Sequence, residues 1–292
     1  MSTHTMPMTP DQEQTGYIFE VSDPEHERLV RLSRVMEPYV WDTLARLRLA
    51  PGSRVLEYGC GPLGALLPLS AAVGPDGVVV GVDRSGEALD KARSLMAARG
   101  VGAVRLVQAD LATLTPAEVC PPGPFDLAYG HVVLCYQRDV VGMLQRIAAT
   151  VRPGGYIVAQ EALFTAPIPV ETPGRFGHAA TLLVNEWLPA ALGTLGACWD
   201  VAERLSMLCR EAGLVEVSQR VFAPTMLPAR AGDGIAVYRD LLAGARPLLR
   251  QLGIASEERI DRALRDLDMA GADTHDATLF THIRVELVAR AP

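Results

Sequence analysis

Hydrophobic positions change period along the chain, and the changes mark its elements. From Pro24, the residues Leu29, Leu32, Val35 and Met36 fall on one side of a helix. That helix is expected to break at Pro38 and resume over 39–49. After the Pro51-Gly52 turn, short apolar runs alternate with helical patterns. Strands are expected at 54–59, 77–83, 103–110, 125–134 and 156–163, and helices at 63–73, 87–99 and 140–151. Apolar strands separated by helices imply a parallel sheet covered on both faces, and right-handed crossovers make it doubly wound.

Two segments interrupt this rhythm. One is 164–199, with four prolines and a helical stretch around 179–188. The other is 224–275, with helical patterns at 234–252 and 257–267. Between them lie a helix at 201–211 and a strand at 214–222, and an alternating strand at 277–290 ends the chain. Long connections in a compact domain usually act as lids or binding walls. The expected organisation is therefore one domain over 1–292, with an N-terminal arm and cap helices over 1–50 and two lid insertions at 164–199 and 224–275.

Composition narrows the classes. Hydrophobic residues make up 49% of the 292 residues and charged residues 21%, as in ordinary globular proteins. The formal charge of −7 argues against a chain built to hold nucleic acid phosphates. No stretch of 18 residues is free of charge or strong breakers, so no membrane span is expected. The start lacks a basic region followed by an apolar run, which points to a cytoplasmic protein. The five cysteines contain no C-x-x-C pair and no metal-ligand spacing, which fits a reduced compartment.

The densest chemistry lies at 56–64, LEYGCGPLG, coming off a strand and opening a helix. Gly59 and Gly61 allow a sharp turn and close approach of backbone to a ligand, and the helix start offers free N–H groups. Asp83 ends the second strand, where a carboxylate can accept both hydroxyls of a ribose. Asp110 ends the third, where it can accept from an adenine amino group or cap a turn. Adenine also needs one donor, which the backbone of Leu111 or Ala112 can supply. Gly59, Gly61 and Gly64 satisfy the G-x-G-x-x-G spacing of dinucleotide sites. Glu57 would repel a pyrophosphate there, yet it suits a cationic or zwitterionic ligand. A sulfonium-bearing amino acid nucleoside is favoured over NAD.

On these motifs, residues 54–162 resemble the class I S-adenosylmethionine-dependent methyltransferases, in the subgroup similar to ubiquinone/menaquinone-type and natural-product small-molecule enzymes. Glu57, Gly59 and Gly61 match the first three anchors of the family's first motif, while Leu63 stands where its third glycine commonly falls. Asp83 matches the ribose-binding acid, Asp110-Leu111 the adenine contact, FDLAYG the fourth-strand motif and RPGGYIVAQE the turn and fifth strand. The resemblance implies a Rossmann-like, mostly parallel seven-stranded sheet of order 3-2-1-4-5-7-6 with an antiparallel last strand. It also implies S-adenosyl-L-methionine as cofactor. Cys60 in the glycine loop and Arg84 after the ribose acid are counted with the cofactor contacts. So is Gly130, at the tip of strand four. His131 beside it would touch cofactor or substrate. Tyr17, in GYIFEVSDPEHERL, would close over the methionine carboxylate.

Methyl transfer is an in-line displacement, so orientation matters more than a strong base unless the nucleophile carries a proton. Candidate catalytic residues are His131, Glu161 at the end of strand five, and His178 in the first lid. His275 and His282 read as structural or solvent-facing. Large apolar residues in both insertions suggest a roofed pocket for a small, largely apolar acceptor methylated at O, C or N. No nucleic acid or membrane partner is expected, and a homodimer is left open. The competing reading keeps the cofactor but not the methylation: a cyclase, a rearrangement catalyst or an accessory protein on the same fold.

Overall fold

The computed structural model describes residues 17, 19, 22–102, 104–119, 123–166, 175–226, 231–272, 279–280 and 282–292. The polar arm over 1–16 and Cys120 lie outside these residues, as do 167–174 in the first insertion, 227–230 and 273–275 (with His275) in the second, 276 after it, and 277–278 and 281 in the expected last strand.

The alternating region folds as α1 (Asp23–Leu47), β1 (Arg54–Tyr58), α2 (Leu66–Val73), β2 (Val78–Asp83), α3 (Gly86–Ala97), β3 (Val104–Gln108), α4 (Pro116–Val119), β4 (Phe125–His131), α5 (Val140–Thr150) and β5 (Val151–Ala162). There follow α6 (Arg175–Thr181), a π-helical segment (Leu182–Trp187), α7 (Leu188–Thr194), α8 (Val201–Glu211), β6 (Val215–Phe222) and β7 (Thr225–Met226). The chain then forms α9 (Ala231–Gln251), α10 (Glu257–Ala272), β8 (Leu279–Phe280) and β9 (Arg284–Arg290). Seven strands make one sheet of order β3-β2-β1-β4-β5-β9-β6. Strands β1 to β5 run parallel, and β9 is antiparallel to both β5 and β6. The central strands read as unbroken apolar runs because helices cover both faces, and Val55, Leu56 and Tyr58 of β1 are fully buried.

Three boundaries depart from the periodicity. The first helix does not break at Pro38 but runs through it. Pro38 and Arg34, whose carbonyl loses its partner, both face solvent, so water satisfies the orphaned group. Strand β5 starts at Val151 rather than after the Pro-Gly-Gly turn. It absorbs that turn as a bulge: Phe125 pairs with Val151, and Leu127 next pairs with Tyr156. The closing strand proper begins only at Arg284; Leu279–Phe280 instead pairs with Thr225–Met226.

The insertions differ in use. Helices α6 and α7 with the π-helical segment pack into the core, where Trp187 is 2% exposed and lies under the Arg259 guanidinium at 5.5 Å. Helix α9 lies along α1, tied to it by an Arg31–Asp240 ion pair. Its Pro247 also faces solvent. On β9, the buried Glu286 accepts from Gln160 Nε2 and Arg220 Nε at 2.7 Å each, and also from Thr43 and Arg46. Burial raises the cost of its charge, but these donors outweigh it and hold the carboxyl below its ordinary value.

Gly130 sits inside this sheet rather than at a ligand surface. A Cβ there would run into the ring of Tyr58, whose hydroxyl donates to Val158 O at 2.7 Å. Gly130→Ala is expected to destabilise the fold by about 3 kcal/mol through overpacking, read as a lowered denaturant midpoint. An unchanged midpoint would show that the Tyr58 ring moves freely.

Candidate active site

Strands β1 and β2 end side by side with a carboxylate each. Gly59 N and Cys60 N both donate to Val82 O, at 2.8 and 3.0 Å, and close the loop against β2. Asp83 then fastens the loop from the other side, Oδ2 accepting from Gly61 N at 2.8 Å and Oδ1 from Ser85 N at 2.9 Å. Glu57 Oε1 accepts from Ala65 N at 2.6 Å, while Oε2 is buried with no partner. Gly64 has φ +49°, and a Cβ on it would strike Glu57 Oε1 and approach Cys60 O to 2.6 Å. The third glycine is therefore displaced by one residue from the family position, and it makes room for the Glu57 carboxylate. Gly59, at φ +70°, is needed for a different reason: its Cβ would come within 2.6 Å of Val133 Cγ2.

Both carboxyls are costly to ionise. Burial pushes Glu57 well above the ordinary carboxylate range; the Ala65 N–H opposes this and the neighbouring Asp83 charge adds to it. Burial likewise raises Asp83, against the N–H groups of Ser85 and Gly61. No ion pair among the described residues closes on Glu57.

These groups face a cavity of about 230 Å³ running from the glycine loop, beneath α1 and α9, to the start of β9. Arg84, Asp110 and Leu111 line the same cavity. Asp110 Oδ1 accepts from Ala112 N at 2.8 Å, so that N–H is engaged within the turn. Tyr17 lines the cavity and donates to Glu25 Oε1 at 2.6 Å. Arg28 grips the same carboxylate in a fork, Nε to Oε2 at 2.7 Å and Nη2 to Oε1 at 2.6 Å. Burial and the Glu25 charge raise the Tyr17 hydroxyl, keeping it a neutral donor. Cys60 contributes loop backbone; burial pushes its thiol up and away from reactive thiolate.

The far end holds His131, whose Nε2 is buried without a partner. Burial, then the nearby Arg284 charge, lower its basicity well below the usual imidazole, so the ring is neutral. Glu161 and His178 do not line this cavity. Glu161 is fully buried and accepts from the N–H groups of Val133, Leu134 and Cys135 at 3.0, 2.8 and 3.4 Å. Burial moves its carboxyl up to about 7. It thereby fixes the turn that follows His131. His178 is exposed on α6.

Three residues of this wall carried no functional reading in the sequence. His282, taken as structural or solvent-facing, lines the cavity, and its Nδ1 lies 2.9 Å from the hydroxyl of Tyr238, which accepts from His282 N at 2.8 Å. Arg284, at 1% exposure, stands beside them. The available signal was the pattern of β9, where charges at 284 and 286 alternate with apolar residues on a strand flanked by two others. Among the described residues no group of three His, Cys, Asp or Glu side chains could hold a metal ion. Nor is any helix among them long and apolar enough to cross a membrane.

Comparison with known proteins agrees with this geometry. Residues 55–155 match the family described as "Methyltransferase domain". The chain is 36% identical over 228 residues to the trans-aconitate 2-methyltransferase of Methylobacterium nodulans, covering 70% of this chain and 83% of that protein. It is 33% identical over 174 residues to the aklanonic acid methyltransferase DauC of Streptomyces sp. strain C5, covering 58% and 77%. Among solved structures, the 4+2 cyclase SpnF superposes with a TM-score of 0.51 at 19% identity, covering 87% of this chain and 81% of that one, a likeness of fold. S-adenosylmethionine fits the residues present. The unpartnered Glu57 Oε2 offers an acceptor to its ammonium, Asp83 offers one to its ribose, and the glycine loop admits it closely. A glycine loop between two strand-end carboxyls, a sheet of order 3-2-1-4-5-7-6 and these relatives lead to one assignment: the chain belongs to the class I S-adenosylmethionine-dependent methyltransferases.

Proposed function

We propose that this chain transfers a methyl group from S-adenosylmethionine to an oxygen, carbon or nitrogen atom of a small organic acceptor of secondary metabolism, as in the ubiquinone/menaquinone-type and natural-product subgroup. One observation carries this reading. The cavity lined by Glu57 and Asp83 is lined also by Phe164, Val237, Tyr238, Leu241 and His131, a part that we read as the acceptor chamber. That chamber suits a small acceptor with an apolar body and few polar groups. Both relatives named above are named for small organic acids, which supports the same class.

Each residue has a definable part. When bound, the cofactor supplies an electrophilic methyl on a positively charged sulfur. Asp83 accepts from the ribose hydroxyls and Asp110 from the adenine, with the Leu111 backbone as donor. Glu57 accepts from the ammonium. Tyr17, with Arg28 and Glu25, covers the amino acid end. The second insertion supplies the roof through α9, while the first contributes Phe164 and Leu188 at the margin. His131 lines the same cavity; its neutral imidazole can hydrogen-bond the acceptor and is a weak proton acceptor. The rate gain then rests chiefly on alignment and exclusion of water.

Asp83→Ala is expected to weaken S-adenosylhomocysteine binding about 100-fold, the loss of two hydrogen bonds to a charged acceptor, with the cooperative melt retained; calorimetric titration measures it. Unchanged affinity would reject the ribose role. Incubation with S-adenosylmethionine and an acceptor panel should give a product heavier by one methylene. Conversion without that gain would mean a non-methylating reaction on this fold. The raised Glu57 carboxyl also sets a sign. In the free protein Glu57 keeps its proton above the ordinary carboxylate range, and a cationic ligand favours the ionised form, so binding releases a proton. Affinity for S-adenosylmethionine should therefore rise with pH until the free-state value of Glu57 is passed. Glu57→Gln should lower the affinity and flatten the rise. A wild-type affinity independent of pH would contradict the assignment.

A further inference from the structure

Arg284 is the first residue of β9 and pairs with Ala162, the last residue of β5, at the edge of the sheet where the glycine loop and His131 also lie. Its side chain lines the cavity, yet it is 1% exposed, and its Nε and Nη1 have no hydrogen-bond partner. A guanidinium stays charged in proteins, and an unpaired buried charge is costly. The chain has an acid close by that could have cancelled it. Glu286 shares a face of β9 with Arg284, but its oxygens are engaged by Gln160, Thr43, Arg46 and Arg220. Glu161, the nearest other carboxyl, is turned to three backbone N–H groups of the turn after β4. The fold has paired Glu286 and Arg290 of β9 with partners elsewhere and left Arg284 facing the cavity.

The surroundings define what would complete it. His131, His282, Tyr238 and Tyr136 stand around Arg284. Burial and the Arg284 charge hold both imidazoles in the neutral form, so among these four neighbours and Arg284 the guanidinium alone carries positive charge. Beyond it the wall is apolar, with Phe164, Val237 and Leu241. A single flat cation beside neutral hydrogen-bonding rings matches a planar monoanion, which a guanidinium can take with two parallel N–H bonds.

We propose that Arg284 is the specificity-determining residue for the acceptor, receiving a carboxylate carried by an otherwise apolar small molecule. This deepens the methyl-transfer reading and rests on it for the word acceptor, but the binding itself is testable without turnover. The test measures calorimetric affinity for a panel of aromatic and aliphatic carboxylates, each paired with its neutral primary amide. Wild-type protein and the variants Arg284→Gln and Arg284→Lys are compared, with and without saturating S-adenosylhomocysteine. At least some acids should bind wild type about 10- to 100-fold tighter than their amides, the range expected for a charged hydrogen-bonded pair. Arg284→Gln should erase that preference while leaving S-adenosylhomocysteine affinity unchanged. Arg284→Lys should restore part of it. The melting temperature of Arg284→Gln without acid should rise, because a buried guanidinium whose Nε and Nη1 make no hydrogen bond is gone. No acid preferred over its amide, a preference that survives Arg284→Gln, or a lower melting temperature in that variant would each overturn the proposal. Failure to bind S-adenosylhomocysteine would instead strike the methyltransferase reading, and the acid preference measured without it would still decide the role of Arg284.

Discussion

A carboxylate oxygen with no partner, buried at the tip of β1, is the constraint on which this site depends. Glu57 is held by one backbone N–H from Ala65, and its second oxygen is left without a donor. Accommodating that group shapes everything near it. Gly64 gives up its side chain to it, the loop between them closes on Val82 O, and Asp83 pins the loop from the next strand. Two adjacent buried carboxyls repel each other and lack solvent, so the free site favours protons where the loaded site favours a cation. S-adenosylmethionine brings that cation.

Charge is divided along the cavity to the same end. Glu57 and Asp83 stand by the glycine loop, and the Arg284 guanidinium with two neutral imidazoles stands at the start of β9. Their separation follows from strand order. The parallel strands β1 and β2 present their carboxyl tips on one side of β4, whereas the inserted antiparallel β9 begins at the same edge on the other side. A strand that runs backwards brings its first residue, not its last, to the site. This is why Arg284 reaches the cavity at all. Helix α9 then covers the junction of the two halves, held to α1 by Arg31 and Asp240.

Much of this was legible in the chain. Strands buried on both faces cannot alternate, so β1, β2 and β4 announced themselves as apolar runs, and the acids near the ends of β1 and β2 fell where a parallel sheet places ligands. Pro38 misled because local propensity says nothing about which side of a helix meets water. The extent of β5 was hidden because a bulge lets a strand pass through a Pro-Gly-Gly turn. Glu161 and His178 illustrate a different limit. Residue type and position at a strand end or in a lid made both plausible as bases, but which way a side chain turns depends on packing. Glu161 turns to the backbone of 133–135 and His178 to solvent. Arg284 escaped notice, and His282 read as structural or solvent-facing, because their part depends on pairing between strands more than a hundred residues apart in sequence.

The most direct test of the central claim follows the Glu57 carboxyl itself. Its carbon-13 resonance, assigned by comparison with Glu57→Gln, would be recorded across pH in the free protein and with S-adenosylmethionine bound. The account predicts a carboxyl that stays protonated well above the ordinary range in the free protein and is ionised throughout the same pH range once the cofactor is bound. A resonance that titrates at the ordinary carboxylate value in both states would contradict it.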